Sequence, residues 1–343
     1  MKPFVDEQSI YLIAEIGGNH EGSFKSAQEQ CRLAIESGAD CIKFQLYTAD
    51  GLVNPNLSHD RHSHFRRFEL SREQHIKLAE MCLAAGCDYL ASVWESEMIE
   101  WIDPYLTHYK IGSGDLTAIP MLREFAKRGK PIILSTGLST LVEVRRAVSE
   151  IRKTNTAYEA PGMITLLQCT SMYPISDGDA NLSVIPTLAE IPGVRVGYSD
   201  HTVGMEALVL SVALGARVLE FHFTDLREGR DFRDHKVSLM VNEVKELRQR
   251  CEKVLTFLGS PDKRPLDIEI TSGHVTTFRR ALFPARDLAS GTIVTKEDLL
   301  CLRPCSGIGA EHYDKVLGLK LLQPVRRLQK LDWFMFDKIQ EIK

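Results

Sequence analysis

No run of 18 apolar residues occurs anywhere in the 343 residues, so no membrane-spanning helix is expected. Neither sign of charge dominates: 42 Lys and Arg stand against 46 Asp and Glu, a net charge of −4. That balance gives no reason to expect nucleic acid or a membrane surface as partner, and an anionic substrate would need a local cluster of basic side chains. Met1 to Tyr11 lacks the basic-then-apolar layout of a secretory leader, and Asp6 and Glu7 interrupt it. The eight cysteines form no CxxC pair. Most sit inside apolar runs, as reduced core thiols do, and a cytoplasmic protein is the economical expectation. Also missing is a GxGxxG turn after the first apolar run, which counts against an open, doubly wound sheet.

What the chain does have is alternation. Strand-sized apolar runs recur at Tyr11 to Ile16, Cys41 to Leu46, Cys87 to Ser92, His108 to Ile111, Pro131 to Ser135, Met163 to Cys169, Val194 to Tyr198 and Ala216 to Phe223. Amphipathic stretches separate them, with helix signals at their ends. Ser71 and Gln74 have capping-box spacing, and Gly38, Gly86 and Gly215 close helices. Eight such units predict a (β/α)8 barrel over residues 1–258. Residues 259–276, polar and broken by Pro261, Pro265 and Gly273, read as a linker. Residues 277–343 read as a small, mostly β module that needs a docking partner at that size.

Polar residues gather where barrel chemistry sits, at the C-terminal ends of the strands. Glu15 ends the first run, and Lys43 and Gln45 lie in the second. GSGD (Gly112 to Asp115) and STG (Ser135 to Gly137) follow the fourth and fifth. Gln168, Thr170, Ser171 and Tyr173 leave the sixth, Ser199, Asp200 and His201 the seventh, and Glu220 and His222 the eighth. Lys43 inside an apolar run needs either an acidic ligand or a paired carboxylate such as Glu15. The two small-residue turns suit a phosphate, or are plain tight turns. His201 and His222, on adjacent strand ends, suit a divalent ion such as Mn²⁺, or are hydrogen-bonded core histidines. Asp234 and His235 would sit around that site or contact a sugar, or belong to a solvated loop. Residues 52–70 either cover the mouth or form a surface loop.

The motifs AEIGGNHEG from Ala14, ADCIKFQ from Ala39, YKIGSGDLT from Tyr109, GKPIILSTG from Gly129, QCTSMYP from Gln168, GYSDHTVG from Gly197 and EFHFT from Glu220 resemble the sialic acid synthase family. RPCSGIG from Arg303 resembles that family's C-terminal antifreeze-like (SAF) domain. The resemblance implies a synthase that joins phosphoenolpyruvate to an N-acetylmannosamine-type amino sugar, giving a nonulosonic acid. It implies that Lys43 and Lys130 hold phosphoenolpyruvate with Ser113, Ser135, Ser171 and Ser199 around it. His201 and His222 would ligate a divalent metal, Mn²⁺ first, with Mg²⁺ or Co²⁺ as alternatives. Glu15, Gln45, Tyr173 and Asp234 would face the sugar or the reacting carbons, Glu15 handling protons. A domain-swapped homodimer would bring Arg303 of one copy to the other's sugar. The pattern is broken at Gln168, Phe221 and Cys305, none of them among these residues. Two rival readings are a barrel synthase of eight- or seven-carbon keto acids and a non-catalytic sugar-binding barrel.

Overall fold

The structure, a computed structural model, describes residues 9–337. The leader reading at residues 1–8 and the last six residues of the expected β module lie outside them. The chain forms two compact units that divide between Gly259 and Ser260.

In the first unit, eight parallel strands close into a barrel in chain order. They are β1 (Tyr11–Glu15), β2 (Cys41–Leu46), β3 (Asp88–Val93), β4 (Tyr109–Ile111), β5 (Ile132–Ser135), β6 (Ile164–Cys169), β7 (Val194–Asp200) and β8 (Val218–His222). Every expected run became a strand, with ends that differ from the expected ones by at most two residues; β2 matches throughout, and β7 runs two residues further, to Asp200. Between and after them come α1 (Phe24–Glu36), α2 (Ala49–Leu52), α3 (His59–Phe68), α4 (Arg72–Ala84), α5 (Ser96–Ile102), α6 (Ile119–Arg128), α7 (Leu141–Thr154), α8 (Val184–Ala189), α9 (Glu206–Ala213) and α10 (Val241–Leu258). The capping box of α4 forms as its spacing predicts, with Ser71 N–H donating to Gln74 Oε1 at 2.8 Å.

Side chains alternate across each strand, so every second residue points to the barrel axis. Ile13, Cys41, Leu90, Ile133, Leu167 and Val218 form one fully buried apolar layer inside the barrel. Two residues further along the same strands stand Glu15, Lys43, Ser92, Ser135, Cys169 and Glu220. Register keeps them together: Glu15 is level with Lys43 on one side and with His222 on the other. Ser92 is level with Lys110, and Ser199 with Glu220. The outward-facing residues of the strands pack into the larger core shared with the helices. A dry floor thus lies directly beneath a polar layer.

The second unit holds the short antiparallel pair β9 (Ala281–Pro284) and β10 (Leu299–Leu302), around a core that includes Leu282, Leu288, Val294, Ile308, Leu321 and Val325. The segment expected as a linker contains two short helices, α11 (Asp267–Thr271) and α12 (His274–Thr277). All eight cysteines are free thiols, and six are buried. Among the described residues no helix is long and apolar enough to cross a membrane.

Candidate active site

A cavity of about 1010 Å³ opens at the C-terminal ends of the strands. Its floor is a four-charge cluster that register alone brings together. Lys43 Nζ lies 2.6 Å from Glu15 Oε2 and 3.7 Å from Glu220 Oε2. Lys110 Nζ lies 3.6 Å from Glu220 Oε1 and donates to Ser135 Oγ at 2.7 Å. Ser199 donates to Glu220 at 2.8 Å, and Gln45 donates to Glu15 at 3.1 Å. Of the two readings of Lys43, the pair with Glu15 is realised, yet the pair faces the cavity rather than a sealed core.

The two carboxyl groups are pushed apart. Burial acts against ionisation of both. Around Glu220, Lys110, Lys43 and the Ser199 hydroxyl outweigh burial and bring it down to about 2. Glu15 ends above the ordinary carboxylate range, because burial and the Glu220 charge outweigh Lys43. Burial, with the Lys43 charge adding to it, depresses Lys110. One acid is held ionised while the other is poised to carry a proton, the separation that acid–base chemistry uses.

Lys130 requires a correction. Its ammonium lies at the opposite end of β5, donating to the Asp103 and Leu106 carbonyls at 2.6 and 2.9 Å and pairing with the Asp103 carboxylate at 2.9 Å. It does not line the cavity, and Lys110 is the second lysine that does. Lys110 carried a legible signal, since it interrupts the buried triplet Tyr109–Ile111 as Lys43 interrupts Cys41–Leu46.

Beside Lys110, the turns after β4, β5 and β6 converge. Gly137 N–H donates to Ser113 Oγ at 3.0 Å. A Cβ on Gly137 would lie 2.5 Å from Ser171 Oγ and 2.8 Å from Ser113 Oγ, so a side chain here would displace both hydroxyls. Ser113, Ser135, Ser171 and Ser199 all line the cavity. Small hydroxyls next to a buried ammonium make a cradle for a phosphate or carboxylate.

Across the cavity stand the two imidazoles, ring centroids 5.4 Å apart. His201 Nδ1 must donate to Thr170 O, 2.7 Å away, because a carbonyl only accepts; the lone pair of Nε2 is left free. His222 Nδ1 is buried without a hydrogen-bond partner, and burial holds its pKa well down. Asp234 Oδ2 lies 3.8 Å from that nitrogen. Two imidazoles with a carboxylate nearby fit a divalent ion that keeps open positions. Among the described residues no group of three or more His, Cys, Asp or Glu side chains is arranged to hold a metal, so the fit is that of a two-ligand site. The Tyr173 ring packs tilted against His201 at 4.0 Å, with the Arg233 guanidinium 4.8 Å over the Tyr173 ring, and burial keeps its phenol protonated. His235 turns away instead, contacting Thr224 Oγ1 at 2.7 Å and Glu21 Oε1 at 3.2 Å.

Residues 52–70 do cover the mouth, with α3 and the turn before it, where Val53, Asn54 and Leu57 also line the cavity. His64 and Phe65 line the cavity. His64 packs 4.5 Å from Phe68 and 5.8 Å from Phe232, and Phe65 sits 5.2 Å from Tyr47. These aromatic contacts hold an otherwise polar helix in place.

The model of the NeuB family matches residues 31–263, and that of the SAF domain matches residues 279–336. The chain belongs to the NeuB family. It is 35% identical over 334 residues to the N,N'-diacetyllegionaminic acid synthase of Legionella pneumophila, covering 94% of this chain and 93% of that one. It is 32% identical over 336 residues to the human N-acetylneuraminate-9-phosphate synthase, covering 93% and 90%. Among solved structures, an N-acetylneuraminic acid synthetase from Leptospira borgpetersenii superposes with a TM-score of 0.72 at 28% identity, over 78% of this chain and 91% of that one.

Two departures from the NeuB-family pattern lie off the cavity. Gln168 is buried and donates to Ala180 O at 3.2 Å, and Phe221 sits in the helix-facing core. Both alternate outward from Leu167 and Glu220, so neither alters the lining. Arg303 belongs to the second unit, where its guanidinium lies 5.3 Å over the Phe278 ring. Lys110 and Glu220 are the two charges of the floor to which sequence reasoning gave no role.

Proposed function

We propose that this chain is a nonulosonic acid synthase, a transferase that condenses phosphoenolpyruvate with an N-acetylmannosamine-type amino sugar and releases phosphate by C–O cleavage. One observation carries the reading: two buried ammonium groups, a small-residue cradle and two imidazoles line one cavity at the rim of the barrel. Names of relatives that span nearly the whole chain point the same way.

In this reading Lys43, Lys110 and the cradle of Ser113, Ser135 and Ser171 hold the carboxylate and phosphate of phosphoenolpyruvate. The floor is neutral when Glu15 is ionised and carries one net positive charge when Glu15 holds a proton, so anion binding and protonation of Glu15 reinforce each other. Held in place, C3 of phosphoenolpyruvate forms the new bond to the aldehyde carbon of the open-chain sugar. Water adds at C2, and phosphate departs with the bridging oxygen. Glu15 moves the proton these steps require, and Glu220 stays ionised to keep both lysines charged. Gln45, Tyr173 and Asp234 orient the sugar. A divalent ion, Mn²⁺ in the first instance, would be held by His201 and His222 and would supply Lewis acidity toward the aldehyde. The proposal extends to a cytoplasmic, domain-swapped homodimer in which Arg303 of one copy reaches the acylamino group in the other's site.

The test is direct. The protein is incubated with phosphoenolpyruvate and, separately, N-acetylmannosamine, its 6-phosphate, its 6-deoxy diacetamido relatives and arabinose 5-phosphate. Phosphate release is followed and the products are weighed. A nine-carbon acid from an amino sugar supports the proposal. Turnover of arabinose 5-phosphate alone, or sugar binding without phosphate release, overturns it.

A further inference from the structure

The turn after β1, Gly17 to Gly22, contributes little to the cavity lining beyond its neighbour Glu15, yet Asn19 in it is fully buried. Its amide nitrogen donates to Phe223 O and to Ser238 Oγ, both at 2.8 Å. These partners are the two roots of the segment that leaves β8 and returns to α10. The roots already touch, since Phe223 bridges Leu239 and Leu239 N–H donates to His222 O at 2.7 Å.

The orientation of the amide follows from hydrogen-bond capacity. Phe223 O can only accept. The single hydroxyl proton of Ser238 goes to Asp234 O at 2.7 Å, so Ser238 must accept from Asn19. Asn19 therefore presents its NH₂ group, both protons are used, and its side-chain oxygen has no hydrogen-bond partner. Gln30 from α1 donates to Asn19 O at 2.9 Å and fixes the backbone from behind. The chain of contacts runs Gln30, Asn19, Ser238, Asp234.

The neighbouring residues press on the same segment. A Cβ on Gly18 would lie 2.9 Å from two ring atoms of Phe232. Glu21 reaches His235 at 3.2 Å. One short turn thus holds the segment that carries Phe232, Arg233 and Asp234 into the cavity.

We propose that Asn19 is a positioning residue: its side-chain amide ties together the two roots of residues 224–238 and so sets where Asp234 stands beside His222. The consequence for turnover rests on the proposed condensation; the tie itself does not. Asn19→Asp keeps the size and removes both donors. Ser238→Ala removes the hydroxyl that accepts from Asn19 and donates to Asp234 O, leaves the bond from Asn19 to Phe223 O in place, and serves if the first variant does not fold.

Two measurements decide it. Amide hydrogen exchange is compared between residues 225–237 and α10. The KM values for phosphoenolpyruvate and for whichever of N-acetylmannosamine and its 6-deoxy diacetamido relatives the wild type uses are also determined. Expected are faster exchange confined to 225–237 and a sugar KM raised about tenfold, with the phosphoenolpyruvate KM within about twofold, as the loss of one or two buried hydrogen bonds implies. Wild-type exchange in that segment in both variants overturns the tie. Faster exchange with both KM values unchanged, or moving together, overturns the positioning role. A wild type that turns over no amino sugar refutes the condensation reading, while the exchange comparison still decides the tie.

Discussion

Replacing Lys110 and Lys130 in turn by methionine separates the two lysines that sequence reasoning confused. Methionine keeps most of the apolar length of the stem and removes the charge. At position 110 the loss falls on the cavity, where the ammonium donates to Ser135 at 2.7 Å and balances Glu220 at 3.6 Å. If it makes two charge-assisted contacts to a bound anion at about 1.5–3 kcal/mol each, the loss is roughly 3–6 kcal/mol, or about 10²- to 10⁴-fold in kcat/KM. At position 130 the loss falls on the Asp103 and Leu106 carbonyls and the Asp103 carboxylate, on a side chain 27% exposed. The expected cost there is stability of about 1–3 kcal/mol, with solvent screening trimming the ionic share, and kinetics close to wild type. Steady-state phosphate release and urea unfolding are measured on both variants. A Lys110→Met enzyme within tenfold of wild type refutes the assignment of the anion site. So does a Lys130→Met enzyme that folds with unchanged stability but is dead.

Chelation should stop phosphate release, and Mn²⁺ or Mg²⁺ should restore it. His222→Ala should weaken Mn²⁺ binding at least about 10-fold by electron paramagnetic resonance, and full activity in the chelated protein would remove the metal from the proposal. Gly137→Ala places a methyl 2.5 Å from Ser171 Oγ; the KM for phosphoenolpyruvate should rise about tenfold with the sugar KM unchanged, a shift near 1.4 kcal/mol, and an unchanged value for both would count against the cradle. Acid should destabilise the barrel through three buried imidazoles that burial holds down, His20 at about 4 and His75 and His108 at about 3. Their folded values lie below the unfolded value, so this stability is present above about pH 6.5 and is lost as pH falls toward the folded values, by up to about 2 kcal/mol each at pH 5; urea midpoints that stay flat from pH 7 to 5 would contradict it.

The barrel was legible because a parallel strand buried on both faces must be written as a continuous apolar run, and all eight runs survive in the sequence. Lys43 was legible for the same reason: a charge inside such a run has to be answered. Lys110 obeys the same rule, but β4 is only three residues long, and a run that short hides its parity. Counting by twos recovers it. Gly112 and Lys110 share the inward face of β4, and Ser135 and Ile133 share that of β5. Lys130 stands five positions before Ser135, out of phase and below the first residue of the strand. The helix α3 was not legible as a helix, because HDRHSHFRRF is polar and its support comes from Phe232, Tyr47 and Trp94, which other parts of the chain supply.

What no local pattern could reveal is how the four charges of the floor divide their labour. Glu15 ends its barrel strand and Glu220 stands two residues before the end of its own, and in isolation the two glutamates are equivalent. Closure of the barrel breaks the tie. It sets Glu220 between two ammonium groups and a serine hydroxyl, and leaves Glu15 with one ammonium, an amide and a carboxylate neighbour. The stronger field falls on Glu220, so the proton goes to Glu15. Removing Lys110 takes away one of the two cations beside Glu220, a charge that acts less on Glu15, and should narrow the gap between the two acids. The pH–rate profile of Lys110→Met should therefore change shape as well as height, an outcome that simple loss of anion binding would not produce.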